Sequence, residues 1–203
     1  MTLYLEAVSD DLIHLLHRLM AAEPLKQFYL VGGTALALHY GHRKSIDLDL
    51  FTSAPFDAAK LNELLDREFG LNEASVETNT VLGQIDAIKT DFIAHQYPII
   101  GETITIDGIR LASVEDIAAM KLNAIANRGS KKDFWDYAQL LEHFDQQTLL
   151  SFYAQKYPNG SLWNLEKSLC YFDDAEHDPN PISLTNKTWD QVKKMITDNC
   201  YIK

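Results

Sequence analysis

Residues Phe28–Phe51 read FYLVGGTALALHYGHRKSIDLDLF, and the pattern changes character three times along this stretch. A short, continuously apolar run, Phe28–Val31, is typical of a buried strand. The segment Gly33–Tyr40 is predicted to be helical and to stop at Gly41. A second strand is predicted over Asp47–Phe51, where bulky apolar residues alternate with aspartates. A strand, a helix and a second strand are therefore expected in close succession.

Two aspartates in the second strand carry the first functional signal. Side chains at i and i+2 of a strand point to the same face, so Asp47 and Asp49 should project together. The bulky residues around them are expected to face the core: Ile46, Leu48 and Leu50. Two like charges repel, and Mg²⁺, which takes carboxylate, water and phosphate oxygens as ligands, would relieve that repulsion. The alternative is a pair of surface aspartates on a half-exposed strand.

The residues before these aspartates are of types that bind phosphate. Gly32 and Gly33 let the backbone turn tightly and approach a ligand closely. The helix that begins near Thr34 would present unpaired N–H groups and the positive end of its dipole to an anion. In the following loop, Arg43 and Ser45 supply further donors, and the arginine is suited to a forked contact with a phosphate. A glycine pair at such a turn is also often purely structural, so this signal is weak when taken alone.

A third carboxylate is predicted on a later strand. Val76–Ile85 and Ile88–Ala94 read as two strands joined near Asp86. In the second of them, Asp91 shares a face with Lys89. If this strand lies beside the strand of the paired aspartates, Asp91 completes an acidic cluster. The equally weighted alternative is a solvated edge strand with alternating polar residues.

Beyond these strands the pattern contains one hairpin and then only helices. Asp107-Gly108 predicts a tight hairpin between Thr103–Ile106 and Ile109–Leu111. Apolar residues at helical spacing predict helices at these positions: Asp10–Ala22, Asp57–Phe69, a helix capped by Ser113, Lys131–Phe144, Thr148–Lys156, Ser161–Tyr171 and Trp189–Asp198. The order predicts an α/β (α+β) fold, in which a mixed sheet with flanking helices (residues 1–112) is followed by a C-terminal helical bundle (residues 113–203).

A glycine pair followed by a hydroxyl residue, a helix and Asp-x-Asp on a strand resembles the signature of nucleotidyltransferases with a polymerase-β-like core. The fuller text is more specifically similar to the AbiEii/AbiGii toxin family of bacterial toxin–antitoxin and abortive-infection systems. The similarity is dense over Phe28–Phe51 and recurs at Ser113–Leu141. It implies Mg²⁺-dependent transfer of a nucleoside monophosphate from an NTP to an acceptor, with release of pyrophosphate. The 3′ end of tRNA is the favoured acceptor, and a cognate antitoxin is an expected partner.

The resemblance also implies which residues form the site. The strand aspartates would hold the metal ions, and the glycine pair with its threonine would contact the phosphates of the nucleotide. In the later motif, a helix lysine and an aspartate after a basic pair correspond to Lys121 and Asp133. Lys121 could clamp a triphosphate, and Asp133 could orient that lysine or help to deprotonate the acceptor. Without the resemblance both are ordinary helix-surface charges, and Asp136 could simply pair with Lys132 at i,i+4 spacing.

Composition limits the remaining possibilities. The chain has 203 residues, of which 46% are hydrophobic, and a formal net charge of −11. The acidity argues against broad non-specific binding of nucleic acids. Cys170 and Cys200 match no zinc spacing, so a reduced cytosolic setting is the simplest interpretation, although a disulfide is possible. Neither a signal peptide nor an apolar run of the roughly 20 residues that a membrane helix needs is recognisable, so we expect a cytoplasmic protein without a membrane partner.

Two alternatives to transfer onto tRNA stay open at the level of sequence. The acidity suits a cationic acceptor, so the nucleotide could be placed on a protein hydroxyl or on a small molecule such as an aminoglycoside. A chain that kept the fold and lost turnover would be a non-catalytic nucleotide-binding module or an antitoxin-type module. The complete set of aspartates and glycines argues against this last alternative.

Overall fold

The computed structural model describes residues 2–200. The strands are β1 (Tyr29–Leu30), β2 (Leu48–Thr52), β3 (Asn72–Glu77), β4 (Thr80–Ile85), β5 (Ile88–Ala94), β6 (Ile104–Ile106) and β7 (Ile109–Leu111). The helices are α1 (Asp10–Ala21), α2 (Gly32–Tyr40), α3 (Ala58–Phe69), α4 (Val114–Asn127), α5 (Lys131–Leu140), α6 (Gln146–Lys156), α7 (Leu162–Leu169) and α8 (Trp189–Asn199). The predicted order, a half of mixed helices and strands followed by helices only, is confirmed.

The described strands form one mixed sheet in the order β3-β4-β5-β2-β1-β7-β6. The central strand β2 pairs parallel to β5 and antiparallel to β1, and β1 pairs parallel to β7. Alternate residues of β2 face the core, so that Leu48 and Leu50 are fully buried, as is Phe92 of β5. A strand in the middle of a sheet has no free edge, and its remaining side chains are held in fixed positions on the opposite face. The mixed α/β fold class is confirmed.

Two details of the predicted strands are wrong. The segment Val76–Ile85 is not one strand, because the chain turns at Asn79 (φ 58°) and returns as β4. Apolar residues alternate on both sides of this turn, which hid the interruption. The strand predicted from Asp47 begins one residue later, and Ile46 is 75% exposed instead of facing the core. Asp47 therefore lies at the end of a loop, immediately before β2.

The helices begin at polar residues that accept a hydrogen bond from the first turn. Asp57, Ser113 and Thr188 each accept from a backbone N–H group three residues later, at the starts of α3, α4 and α8. Such caps satisfy N–H groups that have no partner within the helix. The division at residue 112 stays a prediction, and its second part includes residues 201–203, which lie outside the described residues.

Two further observations concern the sequence-based expectations. Among the helices within residues 2–200, none combines the length and the apolar content that crossing a bilayer requires. Cys170 and Cys200, for which the spacing left a disulfide open, are paired with each other. The bond joins the end of α7 to the end of α8.

Three histidines are held neutral inside the fold, which makes stability depend on pH. Burial lowers the pKa of His39 and His42, and burial together with the charge of Lys156 lowers the pKa of His95 to about 4. The unfolded chain binds protons at these side chains near pH 6.5, before the folded protein does. The free energy of unfolding should therefore decrease as the pH falls from about 6.5 towards 4.

Urea denaturation at about pH 7.5 and about pH 5 checks this expectation. We expect lower stability at the acidic pH, and a smaller difference between the two pH values in His95→Gln, whose side chain does not titrate. Equal stability of the wild type at both pH values would contradict the neutral state of these histidines.

Candidate active site

The pairing of β2 with β5 brings the predicted carboxylates together. Asp49 of β2 lies directly opposite Asp91 of β5 in the parallel register, and Asp47 precedes Asp49 by two residues. Neighbouring strands are about 4.8 Å apart, so the two paired aspartates are immediate neighbours. Asp91 is only 6% exposed and lies on an internal strand. The alternative interpretation of its strand as a solvated edge is therefore wrong.

The glycine pair meets these carboxylates at the start of α2. Gly32 has φ +70°, and a Cβ atom added to it would lie 2.3 Å from Oδ2 of Asp49. Two independent features therefore require glycine at this position: the left-handed backbone conformation and the close approach of the Asp49 carboxylate. Of the two predicted aspartates, Asp49 therefore lies against the diglycine turn.

A pair of glycine substitutions separates these two requirements. Gly32→Ala should lower the free energy of unfolding by about 2 kcal/mol or more, because it adds a clash with Asp49 to the cost of a left-handed alanine. Gly70→Ala is the matched control, since Gly70 has φ +71° and no atom lies within 4 Å of an added Cβ. It should lose only about 1 kcal/mol. Urea denaturation of both variants measures the difference, and equal losses would contradict the close packing of Asp49 on Gly32.

The charges around Asp49 oppose one another. Burial raises the pKa of its carboxyl group, and the neighbouring charges of Asp91 and Asp47 act in the same direction. The ammonium groups of Lys121 and Lys89 lower that pKa in part, but the pKa stays above its ordinary value. The ionised form of Asp49 is therefore held in the fold at a cost in stability.

Asp91 has one engaged oxygen and one free oxygen. Lys89 donates a hydrogen bond from its Nζ to Oδ2 of Asp91. The other oxygen, Oδ1, is buried and has no hydrogen-bond partner within residues 2–200. Buried polar atoms in proteins are nearly always paired, so an unpaired carboxylate oxygen beside Asp49 indicates a place where a ligand or a proton is accepted.

The loop before Asp47 is fixed by the predicted hydroxyl residues. Oγ1 of Thr34 donates to the backbone oxygen of Asp47 and also lies 2.8 Å from Oγ of Ser45. Thr34 is 1% exposed and Ser45 is 8% exposed. The expectation that the threonine hydroxyl binds phosphate is not supported, because this group already holds the loop that carries Asp47.

Arg43 does not offer its guanidinium to a phosphate either. Its Nε and Nη2 atoms form a fork on the carboxylate of Asp136, at 2.6 Å and 2.8 Å. A Cβ atom on Gly33 would lie 2.3 Å from Nη2, so this glycine makes room for the guanidinium. The predicted forked contact exists, but its partner is a buried carboxylate of the protein.

Asp136 is the residue that sequence reasoning missed. It is fully buried and accepts hydrogen bonds from Arg43 and from Nε2 of His42, while Nζ of Lys121 lies 2.7 Å from Oδ2. Burial alone would raise its pKa, but the charges of Arg43 and Lys121 and these hydrogen bonds outweigh burial and hold the pKa well below its ordinary value. Asp136 therefore ties the loop before β2 to α4 and α5 as a permanently charged group.

The predicted pairing of Asp136 with Lys132 is wrong, and a sequence signal against it existed. Asp136 follows Asp133 at i+3, which places both on one side of α5. Since Asp133 was predicted to belong to the site, Asp136 on the same side of α5 should also face the site and not the solvent. Lys132 instead lies at the mouth of the site, with Nζ 3.8 Å from Oδ2 of Asp47.

Lys121 and Asp133 lie in the same network. Lys121 is 5% exposed, so its interpretation as a surface charge is wrong. Its Nζ lies 3.3 Å from Oδ1 of Asp133. The carboxylate of Asp133 also accepts hydrogen bonds from the guanidinium of Arg128 and from the hydroxyl of Ser130. Burial would raise the pKa of Asp133, but the hydrogen bond and charge of Arg128 and the charge of Lys121 lower it to about 2. Asp133 can orient Lys121, as expected, but it is too weak a base and too enclosed to deprotonate an acceptor.

A cavity of about 520 Å³ opens beside Asp47, Asp49 and Lys121. This volume is within the range of small-molecule sites. Its wall contains the following residues: Gly33, Thr34, Arg43, Lys44, Ser45, Ile46, Asp47, Asp49, Lys121, Arg128, Ser130, Lys132, Asp178, Pro179, Asn180, Pro181 and Ile182. Five cationic side chains and three carboxylates line the cavity, so its lining carries a net positive charge in a chain of net charge −11. Local positive charge of this kind suits a polyanion such as a triphosphate.

A family model described as nucleotidyl transferase AbiEii toxin, type IV TA system, matches residues 14–108 and 82–199. The chain belongs to this family. The AbiEii chain is 39% identical over 157 residues to an uncharacterised protein of Aquifex aeolicus (strain VF5), and the match covers 74% of the chain and 76% of that protein. The predicted family and the predicted class of enzyme, a nucleotidyltransferase of toxin–antitoxin systems, are confirmed.

Solved structures share the fold of this AbiEii nucleotidyltransferase. JHP933 from Helicobacter pylori superposes with a TM-score of 0.57 at 20% identity, over 95% of the chain and 91% of that protein. MenT4, a nucleotidyltransferase toxin from Mycobacterium tuberculosis H37Rv, superposes with a TM-score of 0.57 at 14% identity, over 92% of the chain and 82% of that toxin. The similarity extends through the helical half, which supplies Lys121 and Asp133.

Proposed function

We propose that the protein transfers a nucleoside monophosphate from an NTP to the 3′ end of tRNA, with Mg²⁺ as cofactor and pyrophosphate as the second product. One observation carries this proposal: the carboxylate of Asp49 lies against Gly32 at the first turn of α2 and directly beside Asp91. Carboxylates that bind cations and a helix start that binds anions thus share one place. A metal-bound triphosphate requires both.

The donor set fits Mg²⁺. Within residues 2–200, no group of three or more His, Cys, Asp or Glu side chains is arranged to hold a metal ion. Mg²⁺ does not need such a group, because it is usually bound by one or two carboxylates, water and substrate phosphates. Asp47 and Asp49 would hold the ion, which would neutralise charge on the phosphates when bound. Asp91, expected as a third ligand, is assigned a different role because Lys89 occupies its Oδ2.

The reaction needs one bond made, one bond broken and one proton moved. The oxygen of an acceptor hydroxyl attacks the α-phosphorus of the NTP, and the bond from that phosphorus to the oxygen that bridges to the β-phosphate breaks. The electron pair leaves with pyrophosphate. We assign the hydroxyl proton to the carboxylate pair of Asp49 and Asp91, in which Oδ1 of Asp91 has no hydrogen-bond partner among residues 2–200. Lys121 and Lys132, which both line the cavity, would neutralise the departing pyrophosphate.

The locally basic cavity supports a nucleic-acid acceptor, although the whole chain is acidic. Lys44, Arg128 and Lys132 line the cavity, and the last two have side chains that are 59% and 50% exposed. These groups could receive the phosphates of an RNA end.

Membership in a toxin–antitoxin family supports a cognate antitoxin as partner, and a tRNA substrate would place the protein in the cytoplasm. We also keep the division into a catalytic core (1–112) and a helical region (113–203), although helix side chains contribute to the site.

Incubation with each radiolabelled NTP, Mg²⁺ and total tRNA tests the proposal, with cell protein and an aminoglycoside as parallel acceptors. We expect label in tRNA, and no label when Mg²⁺ is chelated or when Asp47→Ala is used. Asp66→Ala, an exposed aspartate of α3, is the control and should retain activity. Label in protein or in the aminoglycoside would replace tRNA as the acceptor. Saturable NTP binding without transfer to any acceptor would overturn the catalytic proposal.

A further inference from the structure

One wall of the cavity is built by a segment between α7 and α8. This segment, residues 178–184, is called the strap. Its backbone pairs with the loop before Asp47: the N–H group of Lys44 donates to the carbonyl of Ile182 at 2.8 Å, and that of Leu184 donates to the carbonyl of His42 at 3.0 Å. The strap thus forms a short antiparallel ribbon with that loop.

The other end of the strap is fixed to α5. Oδ2 of Asp178 accepts a hydrogen bond from the backbone N–H group of Lys131 at 2.9 Å. Nζ of Lys131 donates to the backbone oxygen of Asp178 at 2.7 Å, and Lys131 is only 5% exposed. Because both ends are held, the strap is a fixed wall of the cavity and presents the same side chains to any ligand.

The strap and the loop place large apolar side chains at a cavity that is otherwise polar. Ile182 is 69% exposed and Ile46 is 75% exposed, and both line the cavity together with Pro179 and Pro181. Single exposed apolar side chains are ordinary on protein surfaces. Two isoleucines on segments that hydrogen-bond to each other, beside the cationic side chains of the cavity, form instead an apolar part of one ligand site.

We propose that this apolar part is the subsite for the nucleobase of the NTP, an inference that rests on the proposed function. Ile46 and Ile182 would contact the faces of the base, which are flat and apolar. Asn180, which also lines the cavity, would bond to the polar edge of the base, because its amide offers both a donor and an acceptor. The charged part of the cavity then holds the triphosphate, and the strap selects the base.

Comparing ligands with and without a base tests this assignment independently of turnover. Calorimetry in the presence of Mg²⁺ gives the Kd of each of the four NTPs and of inorganic triphosphate, for the wild type and Ile182→Ala. We expect Ile182→Ala to weaken NTP binding roughly three- to tenfold and to leave inorganic triphosphate unaffected. The side chain of Ile182 is exposed and only its backbone bonds to the loop, so the variant should fold.

Two further variants sharpen the experiment. Ile99→Ala is the matched control, because Ile99 is 52% exposed and lies outside this cavity. It should bind every ligand as the wild type does. Asn180→Ala should reduce the differences in Kd among the four NTPs, with inorganic triphosphate again unchanged.

Each other outcome overturns the subsite. An equal loss of NTP and triphosphate binding in Ile182→Ala would mean that the strap only supports the fold of the site. Unchanged NTP binding with a raised KM for tRNA would assign the apolar part to a base of the acceptor. A wild type that binds neither the NTPs nor triphosphate would overturn the proposed function, and the subsite with it, whereas NTP binding that is insensitive to Ile182 overturns the subsite alone.

Discussion

Asp136→Ala is expected to lower the free energy of unfolding by about 3–5 kcal/mol, which is among the largest effects of a single substitution. The carboxylate has no exposed surface and accepts hydrogen bonds from Arg43 and His42, with Lys121 in contact. Its removal leaves the buried guanidinium of Arg43 without its forked partner, and leaves Lys121 with the more distant Asp133 as its counter-charge. Leaving a buried charge unpaired costs much more than the intact pair contributes.

Urea denaturation of Asp136→Ala and of Asp190→Ala measures this effect. The side chain of Asp190 is 92% exposed and forms an ion pair with Lys193 at 3.3 Å, so its removal should change stability by less than about 0.5 kcal/mol. A second variant that combines Asp136→Ala with Arg43→Met should regain part of the loss, because it also removes the unpaired guanidinium. A loss below about 1 kcal/mol in Asp136→Ala would contradict the role of this carboxylate as the link between the loop and the helices.

The hydrogen-bond partners of Asp136 could not be predicted from the sequence. Its forked partner Arg43 is 93 positions away in the chain, whereas Lys132 is only four positions away, and local spacing favours the near partner. The residue type of Arg43 also does not predict its partner, because a guanidinium forms a forked contact with a carboxylate as readily as with a phosphate. Long-range choices of this kind depend on which helix packs against which loop.

The acidic cluster, by contrast, was predictable from local patterns. The two-residue repeat of a strand predicted which face of its strand each of Asp49 and Asp91 would occupy. The glycine pair predicted a tight turn that a ligand or side chain could approach closely. Only pairing was missing, and the structure supplies it through the parallel register of β2 and β5. The wrong placement of Ile46 has a simple cause: the apolar alternation begins two residues before β2, and the exposed isoleucine lines the cavity instead of the core.

Asp49→Asn is expected to reduce nucleotide transfer by about 10³-fold or more and to leave the protein at least as stable as the wild type. The loss of activity follows from removing the charge of a carboxylate that we propose as a metal ligand, because a bound metal ion stabilises the transition state by several kcal/mol. The stability follows from the pKa of Asp49, which burial and the charges of Asp91 and Asp47 raise. A raised carboxyl pKa means that the ionised form destabilises the fold at neutral pH, so a neutral side chain of the same shape relieves that cost.

Two measurements on the same protein decide between a functional and a structural role for Asp49. Labelled-NTP transfer gives the activity and urea denaturation gives the stability, with Asp66→Asn as the control that should change neither. Asp136→Asn provides the opposite case: its charge is needed by Arg43 and Lys121, so neutralising it should lower stability. Full activity in Asp49→Asn would remove this carboxylate from the catalytic site. A stability loss above about 1 kcal/mol would instead make Asp49 a structural partner of Lys121 and Lys89. It would also show that the ionised carboxylate of Asp49 does not destabilise the fold.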